Sequence, residues 1–158
     1  MSLVKLPKMS DAEIKNIIAH ENICRIAFID NDYPYIAPFQ YIVEDDSLYF
    51  HFTNYGKKME ILENNNHVCV SIESFHSDLS YYSFISIQGI LERVIQAQDI
   101  KKIAEKLANA ASEKFSNSFL SVHGFDREKG WKELSSKSDL FIYKLKETGE
   151  RIGLRSFK

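Results

Sequence analysis

Apolar positions recur along the chain in two periods, and the switches between them lay out its elements. Ser10-Asp11-Ala12-Glu13 has the form of a capping box, and Ile14, Ile17 and Ile18 follow at helical spacing, so a short amphipathic helix is predicted to about residue 21. Over residues 23–30 the period becomes two, with Ile23, Arg25, Ala27 and Ile29 on one face and Cys24, Ile26 and Phe28 on the other. This is a strand with little polar surface. Asn31-Asp32 supplies a turn, and residues 35–43 return as a second strand, whose Pro38 fits an edge, a bulge or an interruption of pairing. Glu44-Asp45-Asp46-Ser47 makes the next turn and residues 48–53 a third strand.

Asn54-Tyr55-Gly56 breaks this pattern, and Met59, Ile61 and Leu62 suit a short helix over residues 57–65 that ends in the Asn64-Asn65-Asn66 run. Residues 67–73 read as another strand. Residues 81–95 read as one long strand interrupted at Gly89, where the missing side chain suggests a bulge or a close backbone approach. Ile100, Ile103, Ala104 and Leu107 predict a helix over residues 96–114. In residues 115–137, Phe119, Val122, Phe125 and Trp131 are apolar but Gly124 and Gly130 break any single period, so no element is assigned. Residues 139–146 form a final strand, with a turn expected at Thr148-Gly149 and a short last strand over residues 151–155. Antiparallel strands with short turns and few helices point to a mainly β fold with flanking helices, closed or nearly closed into a barrel because closure removes exposed edges.

Length and charge narrow the picture. At 158 residues, with 44% hydrophobic and 27% charged positions, the chain fits one soluble domain over residues 1–158, with residues 1–9 as an N-terminal tail. Twenty Lys and Arg against 22 Asp and Glu leave a net charge of -2, a poor basis for nonspecific nucleic-acid binding, which draws on phosphate neutralisation. Any basic site must be local. Residues 1–9 hold no apolar run like a signal-peptide core, and no segment approaches the roughly 18 apolar residues of a membrane span, so a cytoplasmic protein without membrane partners is expected. Cys24 and Cys69 each lie in an apolar alternating segment and are expected to be buried free thiols.

The chain has no G-x-S-x-G, Walker A, G-x-G-x-x-G or Cys-x-x-Cys motif, which excludes Rossmann and P-loop enzymes. His67 and Cys69 share a strand face but lack further ligands in the sequence, and a structural role is expected for them with no metal site. The informative stretch is Thr53-Asn54-Tyr55-Gly56-Lys57-Lys58, in which a strand gives way to a tight turn and two lysines open a helix. Cations there oppose the helix dipole, at about 0.3–1 kcal/mol each, and an anion would reverse the sign. A phosphate would accept from free backbone N–H groups, the Thr53 hydroxyl and the two ammonium groups. The alternative is a solvated lysine pair on a surface turn.

The segment FTNYGKK, between the strand SLYFH and a short helix ending in Asn, resembles the phosphate-binding segment of the pyridoxamine 5'-phosphate oxidase-like family of FMN-binding split barrels. The family's run is Thr-Asn-x-Gly-Ser-Arg-Lys; here the Ser is missing and Lys stands for the bidentate Arg. Residues 25–30, 34–41 and 48–51 are similar to the opening of the nitroimidazole-resistance (Nim-type) branch, and residues 85–94 resemble its later strand with a mid-strand Gly.

The resemblance implies an FMN-binding split barrel, an antiparallel Greek-key-like barrel with short helices, working as a homodimer with flavin at the interface. Thr53, Asn54, Lys57 and Lys58 would take the phosphate and ribityl end, while Pro38, Phe39, Gln40, Tyr41, His51 and Phe52 would lie along the isoalloxazine. His51 is the candidate catalytic residue, as proton donor or substrate contact, because imidazole titrates near neutrality; the alternative is a packing histidine. The implied activity is an FMN-dependent oxidoreductase that reduces a small electrophilic substrate such as a nitro-aromatic with NADH or NADPH. The competing class is a non-catalytic flavin- or haem-binding module, with His51, His67 and His76 as the haem candidates. Trp131 and the stretches Gly130-Trp131-Lys132-Glu133 and Arg151-Ile152-Gly153-Leu154-Arg155 do not match the C-terminal Trp and Arg of members that oxidise pyridoxamine phosphate, so that activity is not expected. Trp131 is expected in the core or at a dimer contact.

Overall fold

The computed structural model describes residues 4–122 and 140–157. Six antiparallel strands close into a barrel: β1 (Ile23–Asp30), β2 (Tyr33–Glu44), β3 (Ser47–Thr53), β4 (His67–Phe75), β5 (Tyr82–Arg93) and β6 (Leu140–Arg155), in the order β1-β2-β3-β6-β5-β4. Because β4 returns to pair with β1, strands run 4-1-2-3 around the wall, which is a Greek key. The hairpin turns follow from residue type. Asp45 and Asp46, both at positive φ (48° and 57°), make the tight type I′ turn that matches strand twist, and Asn31 takes φ 51° in the turn before. The inward positions form the core: Cys24, Ile26 and Phe28 of β1, Leu48, Phe50 and Phe52 of β3, Val68, Val70 and Ile72 of β4, and Ile85 and Ile87 of β5 are all buried.

Helix α1 (Asp11–His20) starts at the expected capping box, with Ser10 accepting from the Glu13 N–H and Glu13 accepting from the Ser10 N–H. Its Ile14, Ile17 and Ile18 pack into the barrel core. Helix α2 (Lys57–Asn64) buries Ile61 in the same core. Helix α3 (Ala97–Lys114) lies outside the barrel, where Ile103 and Leu107 pack on Ile142 of β6 beside Ile42 and Tyr49. A short α4 (Asn117–Val122) follows within the stretch to which the sequence assigned no element. Val122's side chain, Gly124, Phe125, Gly130 and Trp131 lie outside the described residues, as does the N-terminal start of the tail. Among the described residues no helix is long and apolar enough to cross a membrane.

Two expectations need correction. Thr148-Gly149 is not a turn between strands: β6 runs on through it, bulging against β5 between the pairs Gly89–Glu147 and Ile87–Arg151. Gln88 fills the bulge, its Oε1 accepting from the Glu150 N–H at 3.2 Å, so both halves of β6 keep the same partner. Gly89 does mark a close approach, since a Cβ there would stand 2.4 Å from the Lys146 carbonyl oxygen. Cys24 is buried, which pushes its thiol up to about 12, but Cys69 points to the outer face, half-buried, with its Sγ 3.1 Å from Ser86 Oγ.

Candidate functional site

The barrel is weakest between β2 and β3. These strands pair only over Tyr41–Phe50 to Glu44–Ser47, so residues 33–40 of β2 are joined to β1 alone and residues 51–53 of β3 to β6 alone. Pro38, which has no N–H to give, sits in that free stretch, opposite Arg25. Side chains close the gap where backbone bonds do not: the Phe39 and Phe52 rings lie 4.7 Å apart, and Phe52 also packs on Tyr143 at 4.9 Å.

A cavity of about 560 Å³ opens on the outside of this gap, under α3 and α4, within the size range of small-ligand sites. Its floor is Pro38, Phe39 and Gln40 of β2 with His51, Phe52 and Thr53 of β3. Its roof is Ala104, Leu107, Ala108 and Ala111 of α3 with Phe119 and Leu120 of α4. Two neighbouring faces of α3 shape the roof: Ile100, Ile103 and Leu107 pack against the sheet, whereas Ala104, Ala108 and Ala111, one helical stripe, stand over the cavity with small side chains, Ala108 and Ala111 clustering with Leu120 of α4. Polar contacts hold the helix in place: Gln40 Nε2 donates to the Leu107 carbonyl at 3.0 Å, and Glu44 pairs with both Lys102 and Lys106.

One end of the cavity is cationic. Lys58 donates to Thr53 Oγ1 at 3.0 Å and to the Tyr55 carbonyl at 3.1 Å, and lies 6.0 Å from the Phe52 ring centroid. Among the described residues no carboxylate lies within 4 Å of it, and burial lowers its pKa below the ordinary lysine value. A half-buried ammonium held by neutral acceptors alone is a site short of an anion.

The expected site residues separate. Pro38, Phe39, Gln40, His51, Phe52, Thr53 and Lys58 all line the cavity. Tyr41 is placed inside the barrel, 2% exposed, with its hydroxyl donating to the Ile18 carbonyl at 2.8 Å. Asn54 is exposed at the turn and is not part of the lining. Lys57 turns to the other side of α2, where its Nζ meets Asp30 Oδ2 at 2.6 Å, which raises its pKa. It lines a second cavity, of about 440 Å³, with Asp30, Asn31, Glu60, Asn64 and Asn65. His67 is exposed and bonded to Asn65, and His76 stands at the β4–β5 hairpin beside Ser80 and Tyr81, both outside the first cavity. The alanine stripe of α3 is a site feature beyond the expected residues; its sequence signal is the spacing 104, 108, 111 beside an Ile- and Leu-bearing face.

Residues 10–125 match the family model described as pyridoxamine 5'-phosphate oxidase. The chain belongs to this family. Its barrel and Greek key are therefore those of a family member. No match was found among curated proteins. Solved structures share the fold at low identity. A FAD-binding protein from Mesorhizobium loti superposes with TM-score 0.70 and 15% identity over 98% of this chain and 100% of that one. A putative 5-nitroimidazole antibiotic resistance protein from Bacteroides thetaiotaomicron gives 0.67 and 20% over 98% and 92%. The heme storage protein HutZ from Vibrio cholerae gives 0.65 and 12% over 93% and 95%.

Proposed function

We propose that this protein binds FMN in the first cavity and acts as an oxidoreductase on a small electrophilic compound, such as a nitro-aromatic, with NADH or NADPH as donor. The observation that carries the reading is the pairing of an apolar, aromatic-floored cavity with the half-buried Lys58–Thr53 cation at its end. That is the donor set a flavin chain with a terminal phosphate requires. Similarity of fold to the Bacteroides resistance protein supports the Nim-type reading of the substrate.

When bound, the isoalloxazine supplies the redox chemistry. The residues of this chain do the rest. Lys58 and Thr53 bind the phosphate; Phe39, backed by the buried Phe52 ring, offers flat apolar surface; α3 and α4 exclude water from the roof. His51, at the floor, is the ionisable group placed to hold or pass a proton at an imidazole nitrogen. Oxidation of pyridoxamine phosphate is not part of the reading. Arg151 is paired with Glu147 and Arg155 with Glu13 at 3.0 Å, so neither arginine lines the cavity.

A second copy of the chain is the proposed partner. Ile36 of β2, Ala27 of β1 and Cys69 of β4 lie side by side in register on the outer face, and Ile29 and Ile36 are 51% and 57% exposed there. Such a patch beside Pro38 and Ile23, which line the cavity, suits a dimer that shares its flavin sites. Steady-state turnover of the flavin-loaded protein with NADH or NADPH and a nitro compound tests the activity; flavin binding without any nicotinamide oxidation would reject it.

A non-catalytic haem module is the second reading. His51 alone of the three candidate histidines lines the cavity, and HutZ shares the fold. A Soret band in the purified protein would favour it.

A further inference from the structure

Lys57 and Lys58 differ in chemical state as well as in direction. Lys57 Nζ is exposed and paired with Asp30 Oδ2 at 2.6 Å, which holds it as an ammonium. Lys58 is half-buried and has no ion pair among the described residues; its Nζ donates to Thr53 Oγ1 at 3.0 Å and to the Tyr55 carbonyl at 3.1 Å. Those bonds use two of the three positions the nitrogen has besides its link to Cε. The third is left for the cavity that Lys58 lines, and Gly56 puts no side chain over it, since a Cβ there would meet Nζ alone, at 3.8 Å. The cavity does little to favour charge. No carboxylate lines it, His51 is its other readily ionised side chain, and Phe39, Leu107 and the alanine stripe make it mainly apolar. Desolvation in an apolar pocket is one of the ways a lysine becomes a nucleophile, and burial lowers the pKa of this one.

We propose that Lys58 is a carbonyl-reactive lysine, whose amine condenses with an uncharged, apolar aldehyde seated in the first cavity. This goes beyond the flavin reading and needs only the cavity and its lysine. The nitrogen lone pair attacks the aldehyde carbon and forms the C–N bond; the resulting carbinolamine loses its oxygen as water, which carries off both amine protons and leaves a C=N imine. The step needs no oxidant or reductant. Thr53 Oγ1, 3.0 Å from the nitrogen, is placed to pass protons between nitrogen and oxygen. The lining sets the ligand class. Once the nitrogen is in the imine, no second Lys or Arg lines the cavity to hold an anionic group, while Phe39, Ala104 and Ala108 offer apolar contact to a ring or chain. Phosphate binding uses the charged state of the same nitrogen, so aldehyde and FMN exclude each other.

The test incubates the full chain with benzaldehyde and sodium cyanoborohydride, which reduces the imine to a stable benzylamine, and locates the modified lysines by tandem mass spectrometry of peptides. Lys58 is expected to be benzylated about fivefold or more faster than Lys57, since one pKa unit between two lysines changes the neutral fraction about tenfold. Ala108→Leu, which fills part of the cavity, is expected to slow Lys58 about fivefold or more and Lys57 less than about twofold, with circular dichroism showing that the variant is folded. The ratio in the parent protein decides even where the variant does not fold. Benzylation of Lys58 no faster than of Lys57, or an unchanged Lys58 rate in folded Ala108→Leu, overturns the inference and leaves the flavin reading, which FMN binding tests, standing.

Discussion

Lys57 and Lys58 are neighbours in the chain and serve opposite sides of α2: Lys58 Nζ lies 3.0 Å from Thr53 Oγ1 at the first cavity, and Lys57 Nζ lies 2.6 Å from Asp30 Oδ2 at the second. Successive helix residues point about 100° apart, which separates the two side chains, and the Asp30 carboxylate fixes where the Lys57 ammonium ends. The two lysines are therefore separable by mutation. Lys58→Ala is expected to weaken FMN binding by about tenfold to a hundredfold, the range of a lost charged hydrogen bond, and Lys57→Ala to leave it nearly unchanged. Fluorescence titration of each single variant checks this.

Burial lowers the Lys58 pKa, which fixes a sign for pH dependence. In the free protein the neutral amine is favoured relative to the unfolded chain, so this residue's contribution to stability grows as pH rises through the folded value and is lost as pH falls back through it. Phosphate binding has the opposite preference, since it needs the ammonium. FMN affinity is expected to fall with rising pH at values below the ordinary lysine range. Lys58→Arg, which stays charged, is expected to abolish that fall. Affinity measured against pH for both proteins is the check.

Ala108 is 1% exposed and forms part of the cavity roof. Ala108→Leu puts three more carbon atoms into the roof, where Ala108 already packs in one cluster with Leu120, so it is expected to lower stability by about 1–3 kcal/mol and to abolish or strongly reduce flavin binding. Thermal denaturation alongside FMN titration separates the two effects.

Gly89 and Phe52 test the frame that holds the site. A Cβ at residue 89 meets the Lys146 carbonyl oxygen at 2.4 Å, and backbone cannot rotate away, so Gly89→Ala is expected to destabilise by about 1–3 kcal/mol through overpacking. Phe52→Ala removes a ring packed on Phe39 and Tyr143, at about 3–5 kcal/mol. Denaturant midpoints compare both with the parent protein.

Much of the barrel was legible because alternation and turn chemistry agree locally. Residues 23–30 show an uninterrupted period of two and form β1 over that same range, and Asp45-Asp46 carries the residue type its turn demands. What alternation cannot say is which neighbour a strand keeps. Thr148-Gly149 has turn composition, yet β6 continues through it because Gln88 caps the bulge from across the sheet. The site was legible as a segment and not as a surface. FTNYGKK names Thr53 and Lys58, but the direction of Lys57 depends on Asp30, 27 positions away, and the inward turn of Tyr41 on the Ile18 carbonyl. The roof was hidden for a related reason: alanines at 104, 108 and 111 read as ordinary core until the sheet beneath them is known to leave space.

The cavity beneath α3, with Lys58 and Thr53 at its end, is the proposed flavin site. The visible absorption spectrum of the purified protein, taken before and after incubation with FMN and removal of excess, reads this without turnover. Flavin bands are expected to remain with the protein and to disappear in Lys58→Ala carrying Ala108→Leu. A protein that stays colourless after FMN loading, or a double variant that retains flavin as the parent does, would contradict it.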